Sequence, residues 1–182
     1  AAHLRGSINV GLSGRFAEYT GEVVSSDTQL VLICPPGTED EARTRLGRIG
    51  FDNVLGALDS VERAFLARPD LVVQASRLTV DQLRDRKVSL PGLQLVDVRG
   101  PGEVAHGLIP GAGNIQLPAL VTRLSELDPS KPTVVYCAGG YRSSIAASTL
   151  RQRGFADVSD LIGGFGAWQS AGGDVAVPEG AH

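Results

Sequence analysis

The run Thr133-Val134-Val135-Tyr136-Cys137-Ala138-Gly139-Gly140-Tyr141-Arg142-Ser143-Ser144 decides how the chain is read. Thr133 to Tyr136 has the β-branched and aromatic composition of a buried strand, and Ser144 to Arg153 follows a helical pattern. Between them lies a six-residue loop from Cys137 to Arg142. Such a loop is short enough to curl round its own sulfur, and Gly139 and Gly140 permit backbone angles that turn successive N–H groups inward. Those donors, the positive end of the following helix and the Arg142 guanidinium all favour negative charge. Cys137 is therefore expected to be a nucleophilic thiolate, with Ala138, Gly139, Gly140, Tyr141, Arg142 and Ser143 binding the group it attacks. Ser143 and Ser144 read first as helix N-caps. A small core cysteine, the ordinary fate of a lone Cys, would explain neither the glycines nor Arg142.

Outward from the loop, strand-length apolar runs alternate with helical patterns. Leu93–Val98, Asn114–Leu117, Thr133–Cys137 and Val158–Ile162 read as strands. Val80–Arg86, Pro118–Leu127 and Ser144–Arg153 read as helices. The alternation predicts an α/β fold with a mainly parallel sheet flanked by helices. Asp97 and Arg99 end an apolar strand at the edge where such sheets place ligands, so both are candidate supporting residues. An Arg99–Glu103 ion pair bracing a loop is an equally good reading of that arginine. Trp168 reads as core.

Residues 78–176 resemble a rhodanese domain, a sulfurtransferase fold. The resemblance rests on Leu95-Val96-Asp97-Val98-Arg99 with Glu103, on Gly107-Leu108-Ile109-Pro110-Gly111-Ala112 with Asn114-Ile115, on the cysteine loop, and on Gly163-Gly164 with Trp168. Leu108 stands where the family commonly carries histidine. Related cell-cycle phosphatases and arsenate reductases of this fold have five residues between Cys and Arg, whereas four lie between Cys137 and Arg142. The resemblance thus implies sulfur transfer from thiosulfate or a low-molecular-weight persulfide through a Cys137 persulfide to cyanide, a thiol or sulfite, with no cofactor. The alternatives are a non-catalytic sulfur-binding or docking module and, behind it, a Cys-dependent phosphatase or arsenate reductase.

The first half repeats the second with its beginning missing. Arg48-Ile49-Gly50-Phe51-Asp52-Asn53-Val54 echoes Gln152-Arg153-Gly154-Phe155-Ala156-Asp157-Val158, and Cys34 follows Leu30-Val31-Leu32-Ile33 as Cys137 follows its strand. Residues 1–69 are expected to be an incomplete, inactive rhodanese-like copy, 70–77 a linker, 78–176 the complete domain and 177–182 a tail. The loop after Cys34 holds Pro35 and Pro36, which lack N–H donors, and has no arginine. Thr38 and Glu41 have capping-box spacing, leaving no room for a foreign anion, so Cys34 reads as a structural relic. Tandem copies of this kind resemble the C-terminal part of metallo-β-lactamase-fold and rhodanese fusion proteins. That resemblance implies a metallo-β-lactamase-fold partner domain in a longer parent. The incomplete copy would expose a strand edge, to be filled by a retained N-terminal fragment, a second copy in a homo-oligomer, or the second domain.

Composition narrows the partners. A net charge of −3 over 182 residues with interspersed signs gives no basic stripe for nucleic acid. No apolar run approaches the roughly 20 residues of a membrane span, and a soluble, cytoplasmic protein is expected. His3, His106 and His182 stand far apart and no Cys-x-x-Cys or His-x-His spacing occurs, so no metal site is expected. Two cysteines at equivalent places in separate copies are poorly placed for a disulfide, in keeping with a reducing compartment.

Overall fold

Thr133–Tyr136 is buried at every residue, as a continuous apolar run must be when helices cover both faces of its sheet. A computed structural model describes residues 2–177. In chain order its first elements are β1 (Ala2–Leu4), α1 (Phe16–Val23), β2 (Leu30–Leu32), α2 (Glu39–Gly47), β3 (Val54–Ala57), α3 (Val61–Ala67) and β4 (Val72–Gln74). They are followed by β5 (Ser76–Leu78), α4 (Val80–Ser89), β6 (Gln94–Asp97), α5 (Pro101–Val104) and β7 (Gly113–Asn114). The last are β8 (Thr133–Tyr136), α6 (Tyr141–Gln152), β9 (Val158–Leu161) and α7 (Gly164–Ser170). Val10–Val73 form one compact unit and the remaining described residues the other.

In the second unit five strands make a sheet of order β5-β9-β8-β6-β7, every pairing parallel. The α/β fold and parallel sheet expected from the alternation are present. Central β8 is in register with β6 from Gln94↔Thr133 to Asp97↔Tyr136, which brings the ends of both strands to one edge. Leu83 of α4 and Phe165 and Trp168 of α7 share a buried cluster with Leu78, Leu95, Ile109, Val134, Tyr136 and Leu161. Helix α6 packs on β8 and β9 and buries Ile145, Ala146 and Leu150. Thr79 caps α4 in a reciprocal box with Gln82, the two bonds measuring 2.9 and 3.3 Å. No helix among the described residues is long and apolar enough to cross a membrane.

Three sequence expectations are corrected here. Pro118–Leu127 is not an α-helix but two 3₁₀ turns, Leu117–Ala119 and Leu124–Glu126. Leu117 and Leu120, both fully buried, are spaced at the three-residue period of a 3₁₀ turn, and Thr122 donates its hydroxyl to the Ala119 carbonyl. The strand expected over Asn114–Leu117 is paired as a ladder only at Gly113–Asn114; Ile115 and Leu117 instead donate to the Asp97 and Val98 carbonyls. Helix α6 begins at Tyr141 rather than Ser144, because Gly140 takes φ +105° and serves as its N-cap. Ser143 and Ser144 therefore lie within its first turn.

In the first unit β2 and β3 pair in parallel, and Leu30 and Leu32 pack with Phe16, Ala17, Ala42, Leu46, Phe51 and Val54. The capping box expected from Thr38 and Glu41 does not form. Pro35 and Pro36 set a tight turn whose Pro35 carbonyl accepts both the Thr38 N–H, at 3.1 Å, and the Thr38 hydroxyl, at 2.7 Å. That hydroxyl is thereby taken from the helix. Of the tail expected at 177–182, residues 178–182 lie outside the described residues, as does Ala1.

Candidate active site

Cys137 follows β8 directly and is 2% exposed. The chain then folds back so that the Gly140 N–H donates to Cys137 Sγ at 3.1 Å, closing the loop on its sulfur. That turn uses the left-handed conformation of Gly140, which a side chain would strain. Ser143 is fully buried in the first turn of α6, with its Oγ 3.6 Å from Sγ and donating to the Gly140 carbonyl at 3.2 Å. The sulfur thus sits against the positive end of a 12-residue helix. Ala138 and Gly139 are exposed, so the loop offers small, uncharged residues at its opening. Tyr141 is half-buried at the start of α6.

The outer side of the loop is held by α7. Phe165 N–H donates to the Cys137 carbonyl at 2.7 Å and Gly166 N–H to the Ala138 carbonyl at 3.0 Å. Gly164, at φ +57°, makes this approach possible, since a Cβ there would stand 2.2 Å from the Cys137 carbonyl oxygen. The Gly163-Gly164 pair is therefore part of the loop's support. Gly164→Ala is expected to lower turnover by about 100-fold through displacement of the loop. Steady-state rates and a thermal melt on the variant check this; unchanged turnover would show that α7 does not position the sulfur.

Asp97 and Arg99 make a buried pair. The Arg99 backbone N–H and Nε donate to Asp97 Oδ1 at 2.9 and 3.0 Å, and an outer guanidinium nitrogen donates to Oδ2 at 2.6 Å and to the Gly107 carbonyl at 2.7 Å. The guanidinium also lies over the Phe165 ring, 4.0 Å from its centroid. Burial works against the Arg99 charge, but the Asp97 carboxylate outweighs it and the net shift is upward. Tyr136, buried beside them, has its phenol pushed above the usual range, first by burial and then by the Asp97 charge. Its hydroxyl accepts the Ile109 N–H at 3.0 Å. Asn114 Nδ2 donates to the Asp97 and Arg99 carbonyls at 2.8 and 2.9 Å, fixing the backbone on either side of the pair.

The expected Arg99–Glu103 pair is replaced by another. Glu103 takes Arg142 in a bidentate pair, Oε2 at 2.6 Å and Oε1 at 2.8 Å, while Oε2 also accepts the Gly100 N–H at 3.1 Å. Arg99 is turned inward because residues two apart on an extended segment share a face, which places Asp97 beneath it. The hydrogen bonds from Arg142 hold the Glu103 carboxyl below its ordinary range. Glu103 is the site residue whose partner the sequence concealed; its place three residues after Gly100 was the available signal, that of a helix start. The structure brings Gly140 and Ser143 to the Cys137 sulfur and leaves Ala138 and Gly139 exposed at the loop's opening. Arg142 joins the loop to α5, and Asp97 and Arg99 brace the sheet edge.

The chain matches the family model described as "Rhodanese-like domain" over residues 79–171. A protein of Allochromatium vinosum named "Sulfurtransferase" is 36% identical over 100 residues, covering 55% of this chain and 94% of that one. A "Thiosulfate sulfurtransferase GlpE" of Pseudomonas paraeruginosa is 37% identical over 94 residues, covering 52% of this chain and 84% of its own length. Among solved structures, a rhodanese-related protein from Thermoplasma volcanium superposes with a TM-score of 0.52 at 28% identity, over 57% of this chain and 99% of that one.

Proposed function

Because the chain belongs to the rhodanese-like domain family, we propose that it is a sulfurtransferase that carries sulfane sulfur on Cys137. The observation that carries this reading is the Gly140 N–H on Cys137 Sγ at 3.1 Å, at the positive end of α6. That donor and the helix dipole stabilise a thiolate before attack and a persulfide anion after it. In the first half-reaction the thiolate attacks the outer sulfur of thiosulfate or of a low-molecular-weight persulfide, and the donor's S–S bond breaks with its electron pair leaving on sulfite or thiolate. In the second, an acceptor nucleophile such as cyanide, a thiol or sulfite takes the outer sulfur and Cys137 is restored.

Intact-mass spectrometry after incubation with thiosulfate or glutathione persulfide is expected to show a gain of one sulfur, about 32 Da, that disappears when cyanide is added. No adduct with either donor would leave the loop as an anion-binding or partner-docking site.

The unit Val10–Val73 supports a tandem arrangement. Its β2-α2-β3-α3 order reproduces β8-α6-β9-α7 with parallel pairing in both, and Cys34 follows β2 as Cys137 follows β8. We read it as an inactive copy, and both cysteines as free thiols of a reducing, cytoplasmic setting. The resemblance to metallo-β-lactamase-fold fusions extends the reading to a partner domain that would exchange sulfur with Cys137. A second copy or a retained fragment is read as the cover for the open edge of the first unit.

A further inference from the structure

Sulfane sulfur donors differ most in charge. Thiosulfate is a small dianion whose leaving group is sulfite, whereas an organic persulfide presents a reacting sulfur with at most one charge and leaves as a thiolate. A site that takes the dianion gains from uncompensated positive charge beside its sulfur. Here the loop carries one basic side chain, Arg142, followed along the chain by Ser143, and Ala138 to Tyr141 are all uncharged. Arg142 is held by both oxygens of Glu103 at 2.6 and 2.8 Å. Arg99 is buried with its own carboxylate, Asp97. Glu103 is itself tethered, since its Oε2 accepts the Gly100 N–H at the start of α5. Each of these guanidiniums is therefore matched by a fixed negative charge.

We propose that Glu103 determines the donor class of the site: by cancelling the charge of Arg142, it makes the loop select an organic persulfide over the thiosulfate dianion. The inference rests on the sulfurtransferase reading and deepens it. The selected step is Cys137–S⁻ + RS–SH → Cys137–S–SH + RS⁻, in which the new bond is Sγ to the outer sulfur and the electron pair of the donor's S–S bond leaves on RS⁻. The disfavoured step is Cys137–S⁻ + S–SO₃²⁻ → Cys137–S–S⁻ + SO₃²⁻, in which three negative charges gather in the transition state. Glu103 touches neither sulfur and acts through Arg142, so it is a positioning residue.

The test is the rate at which Cys137 gains one sulfur, followed by intact mass at a series of thiosulfate or glutathione persulfide concentrations. The wild-type protein is expected to load from the persulfide at least about tenfold faster than from equal thiosulfate. Glu103→Gln keeps the shape and removes the charge. With the pair only partly buried, it is expected to raise the thiosulfate loading efficiency by about fivefold, through a lower half-saturating concentration. The ratio of its thiosulfate to its persulfide efficiency should rise accordingly, and Glu103→Asp should keep the wild-type preference. An equal fall with both donors in Glu103→Gln would mark a purely structural role and overturn the inference. So would a wild-type protein that loads from thiosulfate as fast as from the persulfide, a result that does not depend on how any variant folds. If the wild-type protein loads from neither donor, the sulfurtransferase reading itself fails.

Discussion

Cys137→Ser is expected to bring sulfur transfer down to the uncatalysed background, a loss of at least about 1,000-fold in kcat/KM. Serine fits the site: Cys137 is 2% exposed, the Gly140 N–H that meets Sγ can meet a hydroxyl, and the Ser143 hydroxyl stands nearby. A serine hydroxyl stays protonated and cannot hold a transferable sulfane sulfur, so the chemistry is lost while the fold is kept. Thiocyanate formation, intact mass and a thermal melt together separate the two. The variant should show no sulfur adduct and a melting curve close to that of the wild type. Turnover surviving in it would move the nucleophile elsewhere, with Cys34 as the first candidate.

The second large effect is expected on stability. Asp97 is fully buried and accepts most of the hydrogen bonds that Arg99 makes. Asp97→Ala leaves that guanidinium buried with the Gly107 carbonyl and the Phe165 ring as its main company. The expected loss is about 3–5 kcal/mol, the range for breaking a buried ion pair by removing one partner. Replacing both residues, as in Asp97→Leu with Arg99→Leu, should recover part of it, because no charge is then stranded. Urea denaturation of the wild type and the single and double variants measures the coupling. A single variant within about 1 kcal/mol of wild type would show that water or a neighbouring group readily satisfies Arg99.

The cysteine loop was legible in the sequence because everything it needs is local. The strand, the glycine that must turn at Gly140 and the helix that follows are written in consecutive residues. The parallel sheet was legible for a related reason, since alternating strand and helix patterns leave few other packings. The partner of Arg142 was not, because Glu103 is 39 positions away and a charge does not announce which opposite charge it will meet. Arg99 had two acidic neighbours in reach, Asp97 and Glu103. The extended backbone decided between them by putting residues 97 and 99 on one face. Thr38 and Glu41 have the spacing of a capping box, but the turn made by Pro35 and Pro36 supplies a competing acceptor for the Thr38 hydroxyl. Across Pro118–Leu127 the leucines three apart fit the period of either helix type, and tertiary burial makes the choice.

The bonds from α7 to the Cys137 and Ala138 carbonyls also have a kinetic meaning. They hold the loop backbone from the α7 side, so in the proposed reaction donor and acceptor would both reach the sulfur from the side where Ala138 and Gly139 are exposed. In that reading donor and acceptor compete for one opening, and each is expected to inhibit the other's half-reaction. An excess of acceptor would slow loading and an excess of donor would slow unloading. Throughput would therefore peak at a balance between the two supplies, not at the abundance of either.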